Sequence, residues 1–116
     1  MATYHLTIEV KPDKIEEFLR TLQSLWFQFL KEEDCLSYSV FRKFEMDTIF
    51  FMEGEFASKV GMEKHFQTRS FQLLVGAAGV LGKILKMMVI EVVEEGGSEL
   101  AKAKIAGDSY TFTVPP

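Results

Sequence analysis

The chain opens on an alternation of period two: Tyr4, Leu6, Ile8 and Val10 against Thr3, His5, Thr7 and Glu9. Successive side chains of a strand point to opposite faces, so this pattern predicts a strand over 3–10 with one strongly apolar face. Lys11-Pro12-Asp13 ends it. Proline suits a first helical turn, where its missing N–H costs nothing, and Asp13, Glu16 and Glu17 suit the positive end of a helix dipole. Ile15, Phe18, Leu19, Leu22, Leu25, Trp26 and Phe29 then recur at helical spacing, which predicts an amphipathic helix over 12–32. Trp26 and Phe29 lie on that stripe, so core packing is preferred to a ring-stacking site.

Alternation returns over 36–44, and Glu45-Met46-Asp47-Thr48 reads as a hairpin turn into a third strand over 49–56. Ser58 is a good cap for a short helix through Lys64, and Thr68 or Ser70 caps the next, from Phe71 to about Gly82. A fourth strand is expected over 84–93, dense in Val, Ile and Met. Glu94-Glu95-Gly96-Gly97-Ser98 is a break, after which a weak helical start leads to a fifth strand at Tyr110-Thr111-Phe112-Thr113-Val114. Residues 1–93 therefore form one domain and 94–116 a C-terminal extension whose strand pairs with some edge, a partner subunit's included.

The order β-α-β-β-α-β is the ferredoxin-like split arrangement, an α+β fold with helices on one face of a four-stranded antiparallel sheet. Its second face carries residues such as Phe41 and Phe51, too apolar to stay wet comfortably, so two sheets facing each other in a homodimer are expected. His5, on the opposite side of the first strand from Leu6, is placed on that dimer face.

Composition narrows the function. With 116 residues, 47% of them apolar, the chain is too apolar for disorder and long enough for one core. A net charge of −4 with scattered Lys and Arg gives no basic stripe for nucleic acid. The single cysteine, Cys35, excludes an intrachain disulfide and fits a reducing compartment. Neither a signal peptide nor an apolar run of membrane-spanning length is visible, so a cytoplasmic domain with no membrane partner is expected.

Two histidines and one cysteine far apart have no metal-ligand spacing, and no loop cradles a phosphate. No metal and no cofactor are therefore expected. Gly76, Gly79 and Gly82 do not form a dinucleotide fingerprint. The run Gly76-Ala77-Ala78-Gly79 has two readings, open volume beside a pocket or close helix-to-sheet packing, with packing preferred.

His65 is the candidate for chemistry. It falls at the break between two predicted helices, beside aromatic and small residues, where an imidazole is a plausible proton acceptor. The competing reading is a histidine bonded to a backbone carbonyl or to a cap such as Thr68.

The path from Val10-Lys11-Pro12-Asp13-Lys14 through Cys35-Leu36-Ser37-Tyr38 to Glu55-Phe56 and His65-Phe66-Gln67-Thr68-Arg69-Ser70-Phe71 resembles the antibiotic biosynthesis monooxygenase (ABM) superfamily over about residues 3–93. In that family a strand ends in an acid and an aromatic, often Trp, here Glu55 and Phe56. A short helix and a His-x-x-Ser/Thr-x-x-Phe step follow, here His65, Thr68 and Phe71. Asp34 departs from the pattern, standing where a Gly commonly precedes the Cys.

The resemblance implies a dimeric α+β barrel and a cofactor-independent monooxygenase of quinols or polyphenols, with His65 as base. Leu6, Ile8, Tyr38, Phe56, Phe71 and Leu74 would line its pocket for a small apolar or aromatic ligand, Tyr38 orienting a phenolic substrate. Haem-degrading relatives use a strand-one Asn, a Trp and a haem-ligating His at positions that correspond here to Leu6, His65 and Val75, which disfavours haem. The same scaffold also serves isomerases of small sugar-derived compounds and non-catalytic ligand-binding or sensing modules, and both stand as alternatives.

Overall fold

A computed structural model of the protein describes residues 1–107. Strand β1 (Ala2–Val10) leads through a single 3-10 turn (Pro12–Lys14) into helix α1 (Ile15–Leu30). The hairpin β2 (Cys35–Arg42) and β3 (Ile49–Phe56) follows, then helices α2 (Lys59–Phe66) and α3 (Arg69–Leu81), strand β4 (Gly82–Ile90) and helix α4 (Ser98–Ile105). The sheet runs β2-β3-β1-β4 with every neighbour antiparallel. This is the ferredoxin-like α+β fold expected from the order of the elements. The fifth strand expected at 110–114 lies outside the described residues.

Register places the two faces. Cross-strand partners share a face. One face therefore carries the rows Tyr38–Gly54–Tyr4–Val89 and Val40–Met52–Leu6–Met87, and the other carries Phe41–Phe51–Thr7–Lys86 and Ser39–Glu53–His5–Met88. The helices cover the first face. Phe18, Leu22, Leu25 and Phe29 of α1, Phe71, Leu74, Ala78 and Leu81 of α3, and Met62 of α2 are buried against Tyr4, Leu6, Ile8, Met52 and Phe56. Each fully buried aliphatic or aromatic side chain here contributes about 1.5–3 kcal/mol.

The two helices after β3 are bounded by side-chain caps. Ser58 accepts from the Gly61 N–H at 3.0 Å. Of the two candidates for the next cap, Thr68 serves: its Oγ1 accepts from the Phe71 N–H at 3.1 Å.

Several expectations shift. β2 ends at Arg42, because the Lys43 N–H turns to the Ile49 carbonyl (2.9 Å) to close the hairpin and leaves Phe44 exposed. α3 ends at Leu81, and Gly82 already belongs to β4. Gly76 and Gly79 do not provide the close packing preferred for them: a Cβ at either would meet nothing within 4 Å, both are exposed, and Gly76 borders an open cleft between α1 and α3. Ala78, between them, supplies the close packing instead. β4 is an edge strand whose Leu85, Met87, Met88 and Val89 all remain substantially exposed. No helix among the described residues is long and apolar enough to cross a membrane.

Candidate functional site

α2 carries His65 in its last turn, and its side chain is wholly buried. The ring is not at an open wall. It packs among Tyr4, Phe29, Tyr38, Phe56, Phe66 and Phe71, with centroid separations from 4.7 Å (Phe29) to 5.9 Å (Tyr38).

Both ring nitrogens are engaged. Nδ1 lies 3.0 and 3.1 Å from the two carboxylate oxygens of Glu32, and Nε2 lies 2.8 Å from the Tyr4 hydroxyl. The Tyr4 hydroxyl is in turn 2.7 Å from that of Tyr38. The four side chains make one continuous hydrogen-bonded chain through the core. The simple structural alternative for His65 is not what is seen: Thr68 Oγ1 donates to the backbone carbonyl of His65 (2.7 Å), while the ring is held by other side chains.

Each member is placed by a local device. Tyr4 and Tyr38 flank Gly54 in one cross-strand row. A Cβ on Gly54 would lie 2.8 Å from the Tyr4 ring and 3.0 Å from the Tyr38 ring, so the missing side chain is what lets both rings lean together. Glu32 sits in the turn after α1, where its N–H bonds back to the Phe29 carbonyl at 3.1 Å. Asp34 of the same turn lies directly against Gly61 of α2, where a Cβ would collide with it. The Asp34 side chain is thus accommodated by a glycine on the helix that carries His65.

Burial dominates the electrostatics. It lowers the His65 pKa to about 4, so the imidazole is neutral at pH 7. It raises the Glu32 carboxyl to about 7, although that side chain keeps 21% of its surface in water. Tyr4 and Tyr38 are both pushed well above the ordinary phenol range, chiefly by burial. The Cys35 thiol is raised by burial and then by the Glu32 charge.

Of the six pocket residues expected from the sequence, Tyr38, Phe56 and Phe71 touch His65. Leu6 and Leu74 are buried in the same core, next to this cluster in sequence. Ile8 is not at the site: four residues beyond Tyr4 along a strand is about 13 Å, and it packs in the row of Phe50. Where a wall around an open chamber was expected, these side chains form packed core. Open volume lies next door, in a cleft of about 480 Å³ between α1 and β2 lined by Leu19, Leu22, Gln23, Trp26, Tyr38, Ser39 and Val40. Trp26 spans it, its Nε1–H donating to the Tyr38 carbonyl at 2.6 Å. Among the described residues no group of three or more His, Cys, Asp or Glu is placed to hold a metal ion.

The sequence reading missed Tyr4, Glu32 and Gly54. Tyr4 was hidden in an apolar alternation, yet a tyrosine on a buried face must find a partner for its hydroxyl, and that demand was a usable signal. Glu32, in the charged run Lys31-Glu32-Glu33-Asp34 after the helix, had none.

The fold places the protein among small ferredoxin-like α+β proteins, here with a polar chain running through an aromatic core. More narrowly, the chain belongs to the antibiotic biosynthesis monooxygenase family, whose model matches residues 1–76. It is 35% identical over 92 residues to the Bacillus subtilis protein named "Putative monooxygenase YcnE", covering 79% of this chain and 93% of that one. It is 30% identical over 88 residues to the uncharacterized protein sll1783 of Synechocystis, of which it spans 60% while 75% of this chain is covered. A structure of SnoaB, a cofactor-independent oxygenase from Streptomyces nogalater, superposes with a TM-score of 0.72 at 11% identity, covering 81% of this chain and 94% of SnoaB. At that identity the likeness is one of fold.

Proposed function

We propose that the protein is a homodimeric monooxygenase that needs no resident cofactor and oxidises a small electron-rich hydroxylated aromatic, such as a quinol or polyphenol, with His65 at the centre of substrate deprotonation. Membership of the family and the oxygenase of like fold support the reaction class. The observation that carries the reading is the His65 imidazole itself: neutral, buried, and hydrogen-bonded on both nitrogens to groups that can relay a proton. Triplet oxygen reacts reluctantly with closed-shell organics, but a phenolate or hydroquinone anion gives it one electron directly. The protein's task is then to remove a proton in a dry, confined site and hold the anion there. The open cleft beside Tyr38, lined by Leu19, Leu22, Trp26 and Val40 with Gln23 and Ser39, offers a mainly apolar binding surface of suitable size.

A second reading draws on the same enclosure. With its ring wholly buried among aromatics, His65 also suits a structural histidine that organises the core of a non-catalytic ligand-binding dimer. Oxygen consumption with a panel of hydroquinones separates the two. Wild type is expected to consume oxygen with at least one, and His65→Ala to lose about 100-fold or more in rate, the scale of a missing proton acceptor. Equal rates for the folded variant would remove His65 from the reaction, and no uptake by wild type with any quinol would favour the binding module.

A further inference from the structure

The hydrogen-bonded chain has two ends, and they differ. Tyr38 is the member that lines the cleft between α1 and β2, while Glu32 is the member that touches solvent. We propose that a proton leaving a hydroxyl bound against Tyr38 travels through Tyr4 and His65 and comes to rest on Glu32, so that His65 is the conduit and Glu32 the store. The inference rests on the deprotonation reading given above and assigns its parts.

Hydrogen-bond capacity sets the direction. An ionised carboxylate only accepts, so Nδ1 of His65 must carry the proton facing Glu32. A neutral imidazole has one N–H, so Nε2 accepts from the Tyr4 hydroxyl, whose oxygen accepts from Tyr38. The Tyr38 oxygen keeps a second lone pair, the one that a hydroxyl bound at the cleft bordered by Tyr38 would have to reach.

When a substrate hydroxyl donates there, each link shifts by one place. The substrate O–H breaks as an O–H on Tyr38 forms. The old Tyr38 proton moves to Tyr4, the old Tyr4 proton to Nε2, and the Nδ1 proton to Glu32. Four bonds to hydrogen break and four form. The substrate becomes an oxyanion accepting from Tyr38, Glu32 becomes neutral, and every hydrogen bond reverses direction.

No charge is left in the interior at the end of the shift, which suits a core where an uncompensated ion is costly. The acidities agree with the geometry. Burial keeps His65 from persisting as imidazolium and Tyr4 and Tyr38 from persisting as phenolates, so the shift is concerted. Glu32, raised to about 7, accepts near neutrality and returns the proton to water. The elements packed around the chain add little that could compete. α1, β3 and α3 present Phe29, Phe56 and Phe71, β2 adds the neutral Cys35 thiol, and Asp34 lies against Gly61.

The signature is a tautomer switch. In the wild-type protein, nitrogen-15 and carbonyl carbon-13 NMR across about pH 5 to 9 should show the Glu32 carboxyl titrating near 7. With the same midpoint, His65 should pass from the Nε2–H form at low pH to the Nδ1–H form at high pH without becoming imidazolium. A single tautomer throughout, or an imidazolium in that range, overturns the relay. This readout needs no turnover, so it decides the relay even if no quinol is oxidised and the oxygenase reading fails.

Kinetics adds a second arm where turnover is found. Glu32→Gln keeps an acceptor for Nδ1–H but takes no proton, so kcat should fall about 100-fold with KM changed less than about twofold. The rate limb near pH 7 should vanish, and Glu32→Asp should recover part of the loss. Tyr38→Phe added to Glu32→Gln should cost little more, because the links act as a unit. An active Glu32→Gln with an unchanged pH profile overturns the proposal.

Discussion

Between Tyr4 and Tyr38 the sheet has a residue with no side chain, and the hydroxyl pair depends on that gap. Gly54→Ala would put a methyl group 2.8 Å from the Tyr4 ring and 2.9 Å from that of Phe56, closer than carbon atoms pack. Overpacking of this kind costs about 1–3 kcal/mol, read by denaturant unfolding, and should separate the hydroxyls now 2.7 Å apart. An unperturbed variant would mean that the tyrosines have room the fold does not otherwise show. The Glu32–His65 pair makes a second residue-scale prediction. Folded, the pair holds one proton between about pH 4 and about 7. Unfolded, with ordinary values of 4.5 for Glu32 and 6.5 for His65, it also holds one between those limits. Proton counts match, so the intact pair leaves stability nearly flat from about 4.5 to 6.5. Single variants uncover opposite slopes. Glu32→Gln leaves a histidine with a depressed pKa, whose contribution is lost as pH falls from 6.5 toward 4. His65→Gln leaves a carboxyl with a raised pKa, whose contribution is lost as pH rises from 4.5 through 7. Denaturation midpoints over this range that slope the same way in both variants would contradict the pairing.

At the scale of elements, Thr68 joins α2 to α3 by two bonds, donating to the His65 carbonyl and accepting from the Phe71 N–H. Thr68→Ala should cost about 1–2 kcal/mol, measured by unfolding, and should loosen the segment that carries the imidazole. Elements were what the sequence expressed best. The period-two run through Tyr4, Leu6, Ile8 and Val10 and the helical stripe through Phe18, Leu22, Leu25 and Phe29 appear where the periodicity puts them. Alternation reports which face is buried, however, and not what a buried side chain touches. Tyr38 and Phe56 were read as wall, and in the fold they pack against His65. Ile8, on the same face, lies one row too far along β1 to take part. Glu32 was illegible for a different reason: its role comes from the turn after α1 meeting the end of α2, a contact 33 residues apart in sequence. The glycines of α3 mislead in the opposite sense, since their spacing drew attention to residues that face solvent.

On the scale of the whole molecule, the face of the sheet away from the helices has no cover among the described residues. Phe41 is 56% exposed and Phe51, its cross-strand partner, 37%, with Met88 alongside at 38%. At the centre of this face His5 and Glu53 bond at 2.6 Å, which places His5 on the side expected for it and neutralises a polar spot among apolar neighbours. A second copy, facing sheet to sheet, would bury Phe41, Phe51 and Met88 against their own counterparts, and a stable pair of this kind covers about 800 Å² on each partner. Sedimentation velocity of wild type at micromolar concentration should therefore report a dimer. Phe51→Asp should report a monomer that remains folded, because Phe51 points away from the helix-covered core. A charge there must be desolvated twice in a symmetric interface, once from each copy, and faces its own image, so a single substitution acts with double weight. His65 lies on the other side of the sheet, and the tautomer switch is expected to survive in that monomer. A wild-type protein that sediments as a monomer would leave the exposed phenylalanines without a partner and overturn the sheet-to-sheet dimer, while leaving the relay through Tyr4 intact.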